Sequence, residues 1–243
     1  MKIAVISDIH GNKEALDNVL SDIKFAGADK IFVLGDLAMG GYDPNYTIEK
    51  LFELRALSGE NFEIIQGNTD KLILDYSQTL FEKMSVSNPL MAYALKLDST
   101  EIKPDNKLKL SILPVNKTVE IFGVKIMLCH GSPRRQDENI FPDTPVQTVE
   151  EAVKDTDASV IFCGHTHIPC GFSLESGKTL INAGSVGRSM TKDKMPVYLL
   201  MTVNPDGSFS FEHRKVIYDN KKVAEIITNR PFEKSGEFAK LYL

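Results

Sequence analysis

An α/β protein of two stacked mixed sheets with helices outside them is the architecture that this sequence predicts. Three observations carry the prediction. Between Lys2 and Gln66, short β-rich apolar runs alternate with amphipathic stretches, the pattern of βαβ units with parallel pairing. Beyond Pro114, strand-like runs dominate, and mixed parallel and antiparallel strands in that order stack as two sheets. No repeat, low-complexity tract or Gly/Ser/Pro-rich linker divides the 243 residues, so residues 1–243 read as one domain.

Lys2–Ser7 reads as the first strand and Asn12–Ala26 as the helix after it. Lys30–Leu34, a helix near Asn45–Leu57 and the strand Phe62–Gln66 complete the opening βαβαβ unit. From about residue 70 to residue 114, Leu72, Leu74, Leu80, Phe81, Met84, Met91, Ala94 and Leu95 recur in a helical pattern. This predicts a helical insertion after the third strand, placed to wall a substrate pocket or simply to decorate one end of the sheet. Thr118–Phe122 and Val124–Cys129 flank Gly123 as a hairpin. Further strands are expected at Ser159–Cys163, Gly171–Glu175, Thr179–Asn182, Pro196–Val203 and Ser208–Lys215, the last two joined through Asn204–Gly207. One helix near Val146–Lys154 interrupts them, and another near Asn220–Thr228 closes the chain. The apolar C-terminal residues Val223, Ile226, Ile227, Phe232 and Phe238 are expected to pack on their own domain rather than on a second subunit.

Composition narrows the function. Hydrophobic residues at 42% and charged residues at 25% are ordinary for a globular chain and argue against extensive disorder. With 28 Lys and Arg against 33 Asp and Glu, the net charge of −5 and the lack of a polybasic run disfavour long nucleic acid and anionic membranes as partners. The longest apolar run, around Val197–Val203, falls far short of the roughly 18 residues that span a bilayer. The stretch Ile3–Ile6 is broken at once by Ser7, Asp8 and His10, unlike an export signal, so a cytoplasmic protein is expected. Cys129, Cys163 and Cys170 sit at no disulfide-framework spacing and read as reduced thiols. Two of them closely precede histidines, but the C-x-x-C pairs usual in a structural zinc site are absent.

The chemistry gathers at strand ends. The run IAVI leads into Ser7-Asp8-Ile9-His10, IFVL into Gly35-Asp36 and FEII into Gln66-Gly67-Asn68. KIML leads into Cys129-His130-Gly131, and SVIF into Cys163-Gly164-His165-Thr166-His167. Each supplies Asp, Asn or His after a buried strand, where loops of an α/β sheet present side chains over a rigid platform. Any one of these has a plain structural alternative: Asp8 would serve as a helix cap, and a lone histidine is more often hydrogen-bonded than metal-bound. Recurrence shifts the balance, because four of the five histidines fall in these turns and only His213 lies elsewhere. Asp8 and His10, like His165 and His167, are two apart and are expected to point to one side of an extended segment. Seven oxygen and nitrogen donors suit two cations better than one, and the set favours Mn²⁺, Fe or Zn²⁺. Two cations repel unless an anion lies between them. Asp36 is the expected bridge, because Asp8 is tied by its spacing to His10.

Asp8-x-His10, Gly35-Asp36, Gly67-Asn68, His130-Gly131 and Gly164-His165-x-His167, in that order, resemble the calcineurin-like metallophosphoesterases. The size, the helical insertion, the segment Asn182-Ala183-Gly184-Ser185-Val186-Gly187 and the C-terminal strand and helix are most similar to its small bacterial phosphodiesterases, including diadenosine tetraphosphate hydrolase-like members. The resemblance implies a four-layer α/β/β/α sandwich. It also implies one metal held by Asp8, His10, Asp36 and His167, and a second by Asp36, Asn68, His130 and His165.

Two cations about 3.5–4 Å apart can hold a hydroxide and neutralise a phosphoryl group during in-line attack, so hydrolysis of phosphodiesters or phosphoanhydrides is expected. The substrate is expected to be small and nucleotide-derived. Arg134 and Arg135, just after His130-Gly131-Ser132-Pro133, are placed to clamp phosphate oxygens unless they are a solvated surface pair. Arg188, after Gly187, is a further candidate, and Asn12 and Asn182 are expected to orient groups at the rim. One residue departs from the family pattern: many members carry a histidine where Thr69 stands, and that histidine's help to the leaving group, typically about 10²–10⁴-fold, has no donor here. Phosphoanhydrides and activated diesters should therefore be preferred over alkyl monoesters. Two alternatives share these residues: a metal-retaining scaffold for a protein partner, and a cyclic-nucleotide phosphodiesterase or nuclease.

Overall fold

Ten strands form two five-stranded sheets, and the candidate site lies where the ends of their parallel strands meet. The computed structural model describes residues 1–243. Strands β1 (Lys2–Ile6), β2 (Lys30–Val33) and β3 (Phe62–Ile64) alternate with helices α1 (Lys13–Ala26) and α2 (Pro44–Ser58). Helices α3 (Asn68–Leu74), α4 (Gln78–Ser87), α5 (Pro89–Glu101) and α6 (Pro104–Ser111) follow. Next come β4 (Lys117–Ile121), β5 (Val124–Leu128), α7 (Val146–Val153), β6 (Val160–Cys163), β7 (Cys170–Ser173) and β8 (Thr179–Asn182). Strands β9 (Val197–Val203) and β10 (Phe209–Lys215) and helices α8 (Asn220–Thr228) and α9 (Ser235–Ala239) complete the chain.

The first sheet runs β10-β9-β1-β2-β3 and the second β4-β5-β6-β8-β7. β1 pairs in parallel with β2 and β2 with β3, while β9 returns antiparallel beside β1. In the second sheet β5, β6 and β8 are parallel. The β4–β5 hairpin turns at Phe122 and Gly123, both left-handed with φ of 49° and 78°, as a tight two-residue hairpin turn requires.

Strand alternation builds the layers. Ile3 and Val5 of β1, Leu199 and Met201 of β9, Ile126 and Leu128 of β5, and Val160 and Phe162 of β6 form one buried cluster between the sheets. Their neighbours in sequence face outward. Ala4, Ile6 and Val33 pack against α1, α2, α5 and the C-terminal helices, whereas Ile161 and Leu180 pack against α7. The expected four layers follow from this alternation, because both faces of each central strand must find an apolar partner. No helix is long and apolar enough to cross a membrane.

The structure amends the sequence reading at three places. The helix after β1 is capped by Asn12, whose Oδ1 accepts the Ala15 N–H at 3.1 Å, and not by Asp8. The helical insertion begins earlier than expected, so that Asn68 opens α3 instead of ending a loop. The chain does not close at Thr228: α9 adds a turn that buries Phe238 beside Val223 and Ile227 in the main core. That burial agrees with intramolecular packing of the C-terminal segment.

One buried ion pair fastens three of these parts together. Arg230 Nη2 meets Asp98 of α5 at 2.7 Å, and Nη1 donates to the Gly41 carbonyl. The other oxygen of Asp98 accepts the Gly40 N–H at 2.6 Å. Removing one partner strands the other in the interior, a penalty of about 3–5 kcal/mol. Arg230→Ala is therefore expected to lose about that much stability in denaturant unfolding; a loss under about 1 kcal/mol, as for a surface pair, would contradict the assignment.

Candidate metal centre

Main-chain bonds stitch the turn after β1 to the one after β2 and the turn after β6 to the one after β5, and the turn after β3 is tied in by the Thr69 N–H on Asp36 Oδ1. Asp8 N–H donates to the Gly35 carbonyl at 3.1 Å, His10 N–H to Asp36 at 2.9 Å, and Gly164 N–H to His130 at 2.7 Å. The turn after β8 joins them, with Gly187 N–H on the Asp8 carbonyl at 2.8 Å. Glycine is required where these turns touch. A Cβ on Gly67 would stand 2.1 Å from Asp36 Oδ1, and one on Gly164 would stand 2.0 Å from Ser7 Oγ and 2.6 Å from Asp8 Oδ2.

The backbone at the site is not the extended chain expected from the spacing. Asp8, His10, Asp36, His165 and His167 are all left-handed, with φ of 56°, 50°, 53°, 68° and 62°. The paired residues converge because each turn reverses the chain locally, not because a pleat aligns them. An L-residue in this region costs roughly 1–2 kcal/mol, so these turns hold strain that the surrounding bonds must offset.

Three imidazoles are locked by backbone carbonyls. Nδ1 of His10 faces the Met39 carbonyl at 3.1 Å, that of His130 the Leu34 carbonyl at 2.7 Å, and that of His167 the Arg188 carbonyl at 2.7 Å. A carbonyl accepts only, so Nδ1 carries a proton and Nε2 is the nitrogen turned to the site, with a lone pair whenever the ring is neutral. These nitrogens point at each other and at carboxylates. His10 Nε2 lies 3.1 Å from His167 Nε2, and His167 Nε2 lies 3.2 Å from Asp8 Oδ1. Asp36 Oδ2 is 3.6 Å from His10 Nε2 and 3.4 Å from His130 Nε2. The remaining carboxylate oxygens are tied back: Asp8 Oδ2 accepts the His165 N–H at 3.0 Å, and Asp36 Oδ1 the Thr69 N–H at 2.8 Å. His165 Nδ1 and Asn68 Oδ1 meet at 2.8 Å beside them.

Buried acceptors facing acceptors demand a cation. Asp8 Oδ1 and His130 Nε2 are buried with no hydrogen-bond partner at all, a costly arrangement unless something positive binds them. Ligand atoms of Asp8, His10, Asp36 and His167 all lie within 4.8 Å of one another. The set of carboxylate and imidazole donors therefore fits a divalent cation, and these are the four residues that the family resemblance assigns to the first metal.

Protons partly stand in for that charge. Burial would lower the His130 pKa, but the Asp36 and Asp8 carboxylates outweigh it and push it up to about 10. Burial likewise opposes ionisation of Asp8, yet the His167 and His130 imidazoles hold its carboxyl far below the usual range. Burial, with the Arg188 guanidinium beside it, drives His10 well below an ordinary histidine. Beneath the ligands, burial and the Asp36 carboxylate push Asp70 up to about 7. That carboxylate accepts the Leu37 and Gly67 N–H groups and so props two of the turns.

Of the seven expected donors, Asp8, His10, Asp36 and His167 cluster, His130 faces both carboxylates, and Asn68 and His165 pair beside them, while the remaining expected residues divide. Arg134 is bound through Nη2 and Nε to Glu138, and Arg135 to Asp137 at 3.0 Å, so the adjacent pair is taken up by local acids at the surface. Arg135, but not Arg134, lines a depression with Asn68, Lys71 and Leu72. Asn12 and Asn182 are fully buried braces rather than rim groups. Asn12 donates to the Gly187 carbonyl at 2.8 Å, and Asn182 to Gly164 at 2.7 Å. Cys129 lies apart from the ligands, its thiol on the Phe162 carbonyl. The cleft above the ligands is lined by Asp36, His165, His167 and Arg188 together with Asn68, Thr69, Leu72, Met84, Asn88 and Met91, so the helical insertion does wall it. The sequence reading missed Met39, whose only signal was its place a few residues after a strand.

Comparison with known proteins agrees with this geometry. Residues 1–206 match the calcineurin-like phosphoesterase superfamily domain, and the chain belongs to that family. An uncharacterized protein from Methanocaldococcus jannaschii is 35% identical over 252 aligned residues, covering 97% of this chain and 96% of that protein. A hypothetical protein from Pyrococcus horikoshii has a similar structure, with a TM-score of 0.86 at 21% identity, over 99% of this chain and 97% of that one. A metallophosphoesterase from Sphaerobacter thermophilus superposes with a TM-score of 0.74 at 23% identity, over the whole of both chains.

Two outcomes follow from the site. Because His130 is held protonated at neutral pH, cation uptake by chelator-treated protein is expected to release protons, measurable by titrating Mn²⁺ in buffers of different ionisation enthalpy. Uptake that releases none would contradict the ligand role of His130. Gly164→Ala is expected to weaken cation affinity by at least about tenfold, the scale on which disturbing supporting groups acts, while far-ultraviolet circular dichroism stays unchanged.

Proposed function

We propose that this protein is a dinuclear metal-dependent phosphohydrolase that cleaves phosphodiesters or phosphoanhydrides of small, nucleotide-derived substrates in the cytoplasm. The observation that carries the reading is the buried ring of acceptors, Asp8, His10, Asp36, His130 and His167, opening into a cleft. In the proposed arrangement Asp8, His10, Asp36 and His167 hold one cation, and Asp36, Asn68, His130 and His165 the other. Asp36 Oδ2 lies between His10 and His130, one residue from each set, which supports its bridging role. Mn²⁺ is the proposed ion, with Fe or Zn²⁺ compatible with the same donors. When bound, the pair supplies Lewis acidity and an activated water.

The chain's own residues do the rest. Backbone carbonyls keep His10, His130 and His167 in one tautomer, so their ligand atoms need no reorganisation. Thr69, where many relatives carry a histidine, offers no acid: its hydroxyl donates to the Ala38 carbonyl at 3.1 Å. Leaving groups must therefore depart as stable anions. A nucleotide or an aryl oxide does so, whereas an alkoxide does not. The depression lined by Lys71 and Arg135 adjoins the metal cleft through Asn68 and Leu72, and it is the proposed bed for the rest of a dinucleotide. This is the behaviour proposed for the diadenosine tetraphosphate hydrolase-like branch.

The test compares turnover of diadenosine tetraphosphate, an aryl phosphodiester and glycerol phosphate by the Mn²⁺-loaded protein. Glycerol phosphate is expected to be slowest, by about 10²-fold or more, the low end of general-acid help. Fastest cleavage of glycerol phosphate would overturn the leaving-group argument. No turnover of any substrate with both ions bound would favour a scaffold.

A further inference from the structure

We infer that Arg188 is the anion receptor of this cleft, its guanidinium taking non-bridging oxygens of the phosphoryl group. The inference rests on the phosphohydrolase reading and extends it to a residue that the motif-bearing turns do not contain. Arg188 is only 7% exposed, and a charge so buried ordinarily has a counter-ion. Arg230, the other buried arginine, holds Asp98 and Glu101, and Arg134, Arg135 and Arg214 likewise hold carboxylates. Arg188 holds none. Its Nη1 lies 3.5 Å from Met91 Sδ, and its Nη2 lies 3.4 Å from His10 Nε2.

Neither neighbour neutralises it. The His10 contact makes matters worse once a cation occupies the site, because that nitrogen would then face a metal, and guanidinium and metal repel. An anion lying between them relieves the repulsion and supplies the missing counter-ion together. A phosphoryl group in the cleft does both, and the guanidinium fork matches two of its oxygens.

The arginine is also built to stay in place. Its N–H donates to Ser185 Oγ at 3.0 Å, and its carbonyl accepts from His167 Nδ1 at 2.7 Å. The Phe238 ring of α9 stands 5.6 Å from the guanidinium carbon, within cation–π range. So the carbonyl that orients a metal ligand and the side chain aimed at the substrate belong to one residue. Arg188 is the only Lys or Arg lining the cleft. The cavity, about 210 Å³, lies below the ~300–1,000 Å³ of whole-ligand pockets. It takes a phosphoryl group and the atoms next to it, and leaves the remainder of a larger substrate outside.

The experiment titrates inorganic phosphate calorimetrically into the Mn²⁺-loaded wild type, Arg188→Met and Arg188→Lys. Metal content and the kinetics of an aryl phosphodiester are measured on the same samples. Arg188→Met is expected to keep both metals, to bind phosphate about 10- to 100-fold more weakly, the scale of a charged hydrogen bond, and to raise KM. Arg188→Lys, which keeps the charge but not the fork, is expected to fall between. Unchanged phosphate affinity in Arg188→Met overturns the inference, as does loss of metal that accounts for the whole effect. Should Arg188→Met fail to fold, Arg188→Lys decides: weakened phosphate binding at full metal content supports the receptor, and wild-type affinity overturns it. If the wild type hydrolyses nothing yet loses phosphate affinity in these variants, the hydrolase reading falls and the receptor stands. If it turns over substrate with Arg188 dispensable for phosphate, the reverse holds.

Discussion

The structure depends on one electrostatic constraint: the Nε2 atoms of buried imidazoles and the oxygens of buried carboxylates are held face to face, too close together to be left without positive charge. Three backbone carbonyls impose it by fixing the Nδ1 protons of His10, His130 and His167 on the outer side of the rings. In water such atoms would be solvated. Here Asp8 and His130 are fully buried, so the repulsion has to be met by positive charge from elsewhere. Positive charge is what this arrangement of acceptors lacks, and membership of the calcineurin-like phosphoesterase family points independently to a metal.

Holding that arrangement sets the terms for the surrounding fold. Five ligand-bearing residues sit in the left-handed region, and each would relax if its turn were free. The turns are not free, because they are bonded to one another and backed by the apolar layer between the sheets, which includes Val5, Leu34, Leu128 and Phe162. Close approach of these turns is what glycine at 67 and 164 permits. The elements outside the sheets then shape access. The insertion places Met84 and Met91 over the ligands, and the C-terminal α9 steadies Arg188 through Phe238. The Arg230–Asp98 pair binds those two additions to the loop that follows β2. Parts that look peripheral along the chain therefore act on the same few ångströms of space.

Much of this was legible in the amino-acid order, for physical reasons that also explain what was not. Parallel strands buried on both faces must be continuous apolar runs, so β1 and β6 announce themselves, β2 and β5 less fully, and the polar residues that follow them stand out. Gathering of the seven donors follows from strand ends sharing one edge. Local backbone conformation was hidden: a spacing of two fits a pleat as well as a left-handed turn, and only the folded chain distinguishes them. The two adjacent arginines were legible only in part, and Arg135 alone of the pair lines the depression beside the site. Proximity to a motif placed Arg134 and Arg135 near the site, but Glu138 and Asp137, close by in sequence, engage them first. Arg188 is a candidate in the sequence only through its place after Gly187, and its lack of a counter-ion is a property of the fold. Helix α9 went unseen because five residues, one of them Gly236, are too few to show periodicity.

The most direct measurement of the central claim is anomalous diffraction at the manganese edge from crystals of the Mn²⁺-loaded protein. Two peaks about 3.5–4 Å apart are expected, one among Asp8, His10, Asp36 and His167 and the other among Asp36, Asn68, His130 and His165. A map with no peak inside this ring, at a Mn²⁺ concentration that saturates calorimetric binding, would contradict that claim.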